Sequence, residues 1–374
     1  MRRKDLTDMN ENTLNDTNQG VVKETETEIA KCPACGAKME FDPLAQKLVC
    51  KYCGTDEEIE NNTSCELDFL AMLSSNYNAW GDETHVFRCD NCGAKEILTK
   101  KEIAKSCPFC GTTNIVETKD LSGLKPNAII PFSITTSMAG EIVAKWISKR
   151  FFAPSRFKKS AKGEDIKGTY SPAFTFDTQT SSTYYGRLGK YYYRTVRRNG
   201  KTETIREIRY FPISGNFNMF FDDILIQASN KIEQKDIDKI SPFDTNDSKE
   251  YSTDYLHGYI ANANDKKCED CWQTAKSIAY AQIKRRILSQ YTYDIVDYFK
   301  VNTDFSEITY KYVLLPIYVG HSSWKRKVYN FFLNGRNGKI TGKTPVSPLK
   351  VGIVVLLGLA ALVGLGFLIY YYFQ

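Results

Sequence analysis

Eight of the eleven cysteines in this 374-residue chain fall into two copies of one arrangement. Cys32 and Cys35 are followed, after fourteen intervening residues, by Cys50 and Cys53; Cys89 and Cys92 are followed at the same interval by Cys107 and Cys110. Thiolate sulfur is a soft donor, and four thiolates set tetrahedrally at about 2.3 Å hold a zinc ion. Two residues between paired cysteines let the backbone curl until both sulfurs face one point. Gly36, Gly54, Gly93 and Gly111 follow the four pairs, where such a knuckle needs a residue tolerant of positive φ. Four thiolates leave no coordination position for water or substrate, so the spacing predicts two structural zinc ions in zinc ribbons, a class of zinc finger, and no catalytic metal. Thiols kept free for metal belong in a reducing compartment.

Other residues capable of chemistry lack companions. Cys268 and Cys271 make a further C-x2-C, but no second knuckle accompanies them, and Glu269 and Asp270 stand where turn residues are usual. They read as cysteines at a helix start. Cys65 reads as a small buried apolar side chain. His85, His257 and His321 have no partners at a catalytic spacing, and neither G-x-S-x-G nor H-E-x-x-H occurs. The nearest approach to a phosphate-binding loop, Gly338 to Thr344, is one residue short of G-x4-G-K-[ST] and runs into Pro345 and Pro348 rather than a helix. The chain is expected not to be an enzyme.

Zinc knuckles need short strands to hold them, and these sit ahead of a larger body. Residues 1–29 are polar and acidic, the composition of a disordered lead. The first ribbon occupies 30–60. A linker over 61–83 carries apolar Leu67, Leu70, Ala71 and Leu73, which suit a short helix between Cys65 and Trp80. The second ribbon occupies 84–118. A mixed α+β body follows over 119–345, and 346–350 link it to the last segment. Within the body, Ile142, Val143, Trp146 and Ile147 repeat at helical spacing over Met138 to Arg150, with Thr136 and Ser137 as candidate caps. Cys271 to Leu288 reads as another helix. Asn199-Gly200 joins Tyr191 to Arg198 and Lys201 to Tyr210 as a type I′ hairpin. Tyr170-Ser-Pro-Ala-Phe174 and Leu314-Leu-Pro-Ile-Tyr318 share a bulky-x-Pro-x-aromatic pattern, which suggests an internal duplication with the prolines at edge strands or strand starts.

Val351 to Phe373 contains no charge and no proline, and 23 residues at about 1.5 Å each reach about 35 Å, enough to cross a bilayer. Lys339, Lys343 and Lys350 lead into this stretch and Tyr370, Tyr371 and Tyr372 close it, so its basic end should face the cytoplasm. Met1 to Ala30 lacks the apolar core of a signal peptide. The expectation is a tail-anchored, single-pass cell-membrane protein with its N-terminal region cytoplasmic.

Charge divides the chain. Residues 1–120 hold 14 Lys plus Arg against 22 Asp plus Glu, whereas 121–374 hold 36 against 22. Each zinc with four thiolates adds two negative charges, which brings the ribbon-bearing third to about −12. Such modules repel phosphate and suit protein contacts. The body carries one basic aromatic tract, where Arg187, Lys190, Arg194, Arg197 and Arg198 alternate with Tyr184, Tyr185, Tyr191, Tyr192 and Tyr193. Three readings fit it: an ordinary twisted hairpin with cross-strand Tyr–Arg pairs, an anionic-lipid contact to which Lys325, Arg326 and Lys327 would add, or a single-stranded nucleic-acid track.

The whole stretch from about 30 to 345 resembles a bacterial family of double zinc-ribbon membrane proteins. The resemblance rests on Cys32-Pro-Ala-Cys-Gly, Cys50-Lys-Tyr-Cys-Gly, Cys89-Asp-Asn-Cys-Gly and Cys107-Pro-Phe-Cys-Gly. It rests also on Ile130-Pro-Phe, Gly168-Thr-Tyr-Ser-Pro, Leu315-Pro-Ile-Tyr and Asn334-Gly-Arg-Asn-Gly-Lys-Ile-Thr-Gly in the body. Members are often labelled TFIIB-type zinc-ribbon proteins or likened to primosomal protein N′, a likeness that here stops at the zinc cysteines because helicase motifs are lacking. The resemblance implies no established enzymatic activity and, for some members, membrane anchoring beside phage-shock-protein-A-like and Band-7 membrane-stress proteins. The resulting expectation is a non-enzymatic membrane adaptor or scaffold that meets cytosolic or membrane-associated proteins through its ribbons. The competing expectation is a membrane-tethered nucleic-acid-binding protein.

Overall fold

A computed structural model describes residues 30–74, 84–99, 107–110, 112, 115–118, 124–160, 166–198, 200–325 and 327–373. The expected acidic lead and Gly111 lie outside them. Strands β1 (Met39–Asp42), β2 (Lys47–Cys50) and β3 (Asp56–Glu57) form a small antiparallel sheet of their own. After β4 (Leu67–Asp68) and α1 (Phe69–Ser74) come β5 (Thr84–Cys89), β6 (Lys95–Thr99) and β7 (Ile115–Thr118). The body then runs β8 (Ala128–Ile129), α2 (Thr136–Ser148), α3 (Ser155–Ser160), β9 (Lys167–Arg198), β10 (Lys201–Phe221), β11 (Ile226–Gln227) and α4 (Gln234–Ile240). It continues with β12 (Lys249–Glu250), β13 (Ile260–Asn262), α5 (Cys268–Leu288), β14 (Ile295–Trp324), β15 (Lys327–Asn334) and β16 (Ile340–Gly342), and ends in α6 (Pro348–Tyr372). The chain is therefore a mixed α+β protein with two N-terminal cysteine modules and one long apolar C-terminal helix.

The long antiparallel strands β9 and β14 are the spine of a 13-stranded sheet, paired from Lys167 opposite Val319 at one end to Gly189 opposite Ile295 at the other. β10 pairs with β9 over 21 consecutive residues, so the hairpin expected from Tyr191 to Tyr210 is only the tip of a much longer ribbon. The rest escaped the sequence reading because the alternation there is of hydroxyls rather than hydrocarbons. Thr178 and Thr180 are buried and donate to the Ser306 and Met219 carbonyls at 2.9 and 2.6 Å, and Ser182 meets Thr303 at 2.8 Å. A buried hydroxyl with a partner costs little, so strand structure persists through a polar run.

The prolines do not occupy edge strands or strand starts. Pro172 lies inside β9 opposite Leu314, and Pro316 lies inside β14 opposite Tyr170. Each nevertheless sits at a gap. β13 pairs with β9 at Thr169 and Tyr170 and β11 at Ala173 and Phe174, so the imide nitrogen of Pro172 points between two short neighbours. Pro316 likewise falls between β8, which pairs at Val313 and Leu314, and β15, whose pairing with β14 starts at Ile317. No ladder donor is needed there, while the carbonyls still accept from Ala228 and Gly335 at 3.0 and 2.8 Å. The pairing registers about the two prolines correspond: exchanging Pro172 with Pro316 puts the β13 pairing on that of β8 and the pairing of Ile226-Gln227 on that of Leu333-Asn334.

The helices cover this sheet by their apolar stripes. Cys268, Cys271, Trp272, Ala275, Ala279, Ile283 and Ile287 are the buried face of α5, which starts three residues earlier than Cys271; Glu269 and Asp270 in its first turn and Arg285 and Arg286 in its last oppose the helix dipole. In α2 the buried residues are Ala139, Val143 and Ile147, and the cap is Thr135 rather than the expected Thr136: the Thr135 hydroxyl accepts from Met138 N at 3.3 Å. The short helix expected after Cys65 is α1. Cys65 itself is exposed rather than buried: it precedes the edge strand β4, and its carbonyl, not its thiol, is held, by Asn127 Nδ2 at 2.9 Å. None of the residues of α6 is buried.

Candidate metal centres

Each cysteine pair closes a tight turn of one design. Gly36, Gly54 and Gly93 donate to the carbonyls of Cys32, Cys50 and Cys89 at 2.8, 2.9 and 2.7 Å, with φ of 74, 79 and 70°. One step further on, Cys32, Cys50, Cys89 and Cys107 each donate at 2.8 Å to the carbonyl five residues ahead. These bonds aim both sulfurs of each turn to one side. Sγ atoms of Cys32 and Cys53 lie 3.4 Å apart and those of Cys35 and Cys50 3.6 Å; in the second set, Cys89–Cys110 and Cys92–Cys107 are both 3.6 Å. All four sulfurs of each set fall within 4.8 Å of one another, and none is in a disulfide.

Sulfurs bound tetrahedrally at about 2.3 Å are about 3.8 Å apart, so the spacing fits a zinc ion in each set with minor adjustment. Zinc, when bound, supplies the cross-link that fixes each pair of turns. The eight predicted ligands are thus brought together as two complete sets. One thiol in each set is shifted toward ionisation: Cys53 is brought down to about 6, first by the Thr55 hydroxyl 3.1 Å away, and at Cys110 burial raises the value but Asn91 and the Thr112 backbone bring it down to about 7. Burial pushes Cys107 up, and metal binding must displace that proton.

Neither module stands free of the body. Met39, Phe41 and Leu48 join Cys32 and Cys50 in a core shared with Ile129, Phe132 and Tyr170, and Phe41 packs edge-on against Tyr255 at 5.3 Å. Cys89, Cys107 and Phe109 share a second core with Ile237, Val313 and Leu315, and β6 pairs with β13. What each module leaves outward is the rim. Cys35 and Cys53 are exposed, as are Tyr52 (86%) and Leu44 (66%).

Cys268 and Cys271 are buried in the α5 core, away from either set. Burial pushes both thiols up, that of Cys271 to about 12, which leaves them protonated and inert. His257 is buried, while His321 is partly buried.

A cluster the sequence reading missed lies where β4, β9 and β14 meet. Lys311 Nζ is 2.7 Å from Glu66 and 3.7 Å from Asp223, and the carboxylates of Glu66, Asp177 and Asp223 converge within 4.8 Å. Asp223 N donates to Asp177 Oδ1 at 2.7 Å, and the Thr245 hydroxyl donates to Asp223. The ammonium takes the place a cation would, so the cluster is an internal ion network; its one sequence signal is a lysine inside the apolar run Tyr310 to Leu315. Burial, then Glu66, Asp223 and Asp222, push Asp177 up to about 6 against the donated Asp223 amide. Its folded pKa exceeds the unfolded value of about 3.9, so the folded state holds the extra proton between those values and loses stability as pH rises through them. Asp177→Asn should flatten that pH dependence and raise stability at pH 7 by about 1 to 2 kcal/mol, after discounting for partial solvent access. Urea denaturation at pH 4.5 and 7 measures it, and equal losses at both pH values would refute it.

The basic aromatic tract is largely self-paired. Arg187 Nε donates to Asp297 at 2.5 Å, Arg194 meets Glu207 at 3.0 Å, and Arg206 and Arg209 cover Tyr191 and Tyr192 at 4.4 and 5.5 Å. Lys190 and Arg197 remain exposed, and the side chain of Arg198 lies outside the described residues.

Comparison with known proteins finds the chain similar to a protein of Bacillus subtilis (strain 168) described as "Uncharacterized protein YdjG", 29% identical over 322 residues, which cover 86% of this chain and 91% of that one. No family model and no solved structure matches the chain.

Proposed function

We propose that this is a non-catalytic adaptor, held to a membrane by α6 and meeting other proteins through two zinc ribbons. The closed four-sulfur geometry carries the reading: a metal with every position filled by protein cannot bind or activate a substrate, so its contribution is shape. The exposed rim of the first module offers Tyr52 and Leu44 as contact residues, and aromatic anchors of that kind supply much of the energy of protein interfaces. The net negative charge of the ribbon-bearing third favours a basic protein surface over nucleic acid. Free thiols support placing the ribbons on the cytosolic side. The symmetric registers about Pro172 and Pro316 support a body built from two duplicated βαββ units. The family resemblance suggests partners of the phage-shock-protein-A-like or Band-7 classes and a place in the membrane-stress response.

Full-length protein purified in detergent should retain a protein partner that Tyr52→Ser together with Leu44→Ser releases while zinc content stays unchanged. Undiminished retention in that variant would overturn the ribbon-rim reading. The nucleic-acid alternative keeps a foothold in Tyr193, which is exposed at the hairpin. Tight DNA or RNA binding at physiological salt that falls when Tyr191 and Tyr193 become Ala would replace the adaptor with that alternative.

A further inference from the structure

The start of α6 is tied to one corner of the body. Ser347 N donates to the Phe152 carbonyl at 2.8 Å, and Lys350 Nζ donates to the carbonyls of Phe151 and Ala153 at 3.1 and 2.8 Å. These acceptors belong to the loop between α2 and α3, so that loop stands wherever the helix enters its bilayer. Its two aromatic side chains face outward: Phe151 is 62% and Phe152 43% exposed, edge to face at 5.3 Å. Leu349, in the first turn of α6, is exposed beside them.

The charge on the segment that carries these rings has one sign. Residues 142–160 contain six Lys and Arg and no Asp or Glu, and none of the six forms an ion pair with a carboxylate among the described residues. Lys149, Arg150, Arg156 and Lys159 are exposed. Trp324, at the end of β14, packs on Phe157 of α3 at 6.2 Å and brings exposed Lys325 and Lys327 to the same end. Apolar rings ringed by uncompensated cations suit the boundary between anionic headgroups and acyl chains.

We propose that the α2–α3 corner is a second membrane contact, in which Phe151 and Phe152 enter the interface of an anionic leaflet and the surrounding cations bind its headgroups. The inference rests on reading α6 as a membrane span. The corner lies at the Lys167–Val319 end of the spine, whereas the β9–β10 tip lies beyond its Gly189–Ile295 end. Thirty-one steps of about 3.3 Å separate Lys167 from Arg198 along the strand, so the tip is up to about 100 Å away. Arg187, Lys190, Arg194 and Arg197 lie toward that far end, and the proposal assigns the leaflet contact to the corner in their place. The anionic-surface role belongs to the corner.

The test places photoreactive benzoyl-phenylalanine at Phe151, Phe152 or Tyr193 in the full chain, reconstituted in vesicles of phosphatidylglycerol and phosphatidylcholine. Lipid adducts should form at 151 or 152 at about tenfold or more the yield at 193. Vesicles of phosphatidylcholine alone, or Lys149→Glu with Arg150→Glu and Lys159→Glu, should lower the corner adduct several-fold, with zinc content reporting that the variant is folded. Equal yields at 151, 152 and 193, or a corner yield indifferent to lipid and protein charge, would overturn the proposal. Flotation of the vesicles reports the span separately: a chain that does not float refutes the span, and one that floats without corner adducts refutes only the corner.

Discussion

Purified full-length protein should contain two zinc ions per chain, and Cys50→Ser should contain one. Cys50 has no exposed surface, and its neighbours Met39, Phe41 and Leu48 pack into the core that also holds Phe132 and Tyr170. A ribbon of about thirty residues cannot bury enough surface to fold unaided, and the roughly 10 to 16 kcal/mol of apparent zinc binding supplies what is missing. Losing the first centre should therefore release β1–β3 and also loosen the Tyr255 and Tyr259 rings that Phe41 packs against, so the damage reaches the body rather than stopping at the ribbon. Cys268→Ser and Cys271→Ser should each leave the zinc content at two. Metal analysis with hydrogen exchange decides the matter. One zinc in the unaltered chain, iron in place of zinc, or normal protection of the 255–259 region in Cys50→Ser would each contradict this account.

Truncation after Ser347 should move the protein completely from the membrane fraction to the soluble fraction in high salt. The 25 residues of α6 are apolar on every face apart from Lys350 in the first turn, and none is buried against the body. A helix of this kind has no stable place in water, whereas a hydrocarbon layer about 30 Å thick accommodates its length. High salt is needed because the basic corner on the body should hold the truncated chain to anionic lipid weakly and electrostatically. Truncated protein that still resists extraction by high salt would require another apolar membrane contact. Retention of two zinc ions in the soluble product would show that the metal centres form independently of the anchor.

The two cysteine sets and the apolar helix were legible because each is specified by residues close together in sequence. A C-x2-C-G turn sets its own hydrogen bonds, and a charge-free stretch long enough to cross a bilayer needs no partner to be recognised. Helices α2 and α5 were legible to within three residues for a similar reason, since an i, i+3, i+4 stripe records which face is buried. Strand β9 was legible only at its Tyr-rich end. Its buried Thr178, Thr180 and Ser182 look solvated until the Ser306 and Met219 carbonyls and the Thr303 hydroxyl arrive from distant strands.

By itself, the sequence determined the two cysteine sets, the apolar helix and the mixed α+β class, since these follow from local spacing and composition. Tertiary structure alone decided where the pieces meet. It put Pro172 and Pro316 inside the spine at gaps between short strands, an arrangement that depends on where β8, β11, β13 and β15 stop. It gathered Glu66, Asp177, Asp223 and Lys311 from four separated segments into one ion network. It also engaged Arg187 and Arg194 with carboxylates, whereas the cations beside Phe151 and Phe152 at the base of α6 have no carboxylate partner among the described residues. A count of charges along a chain cannot separate those two outcomes, because whether a cation is free depends on which carboxylate the fold carries to within about 4 Å of it.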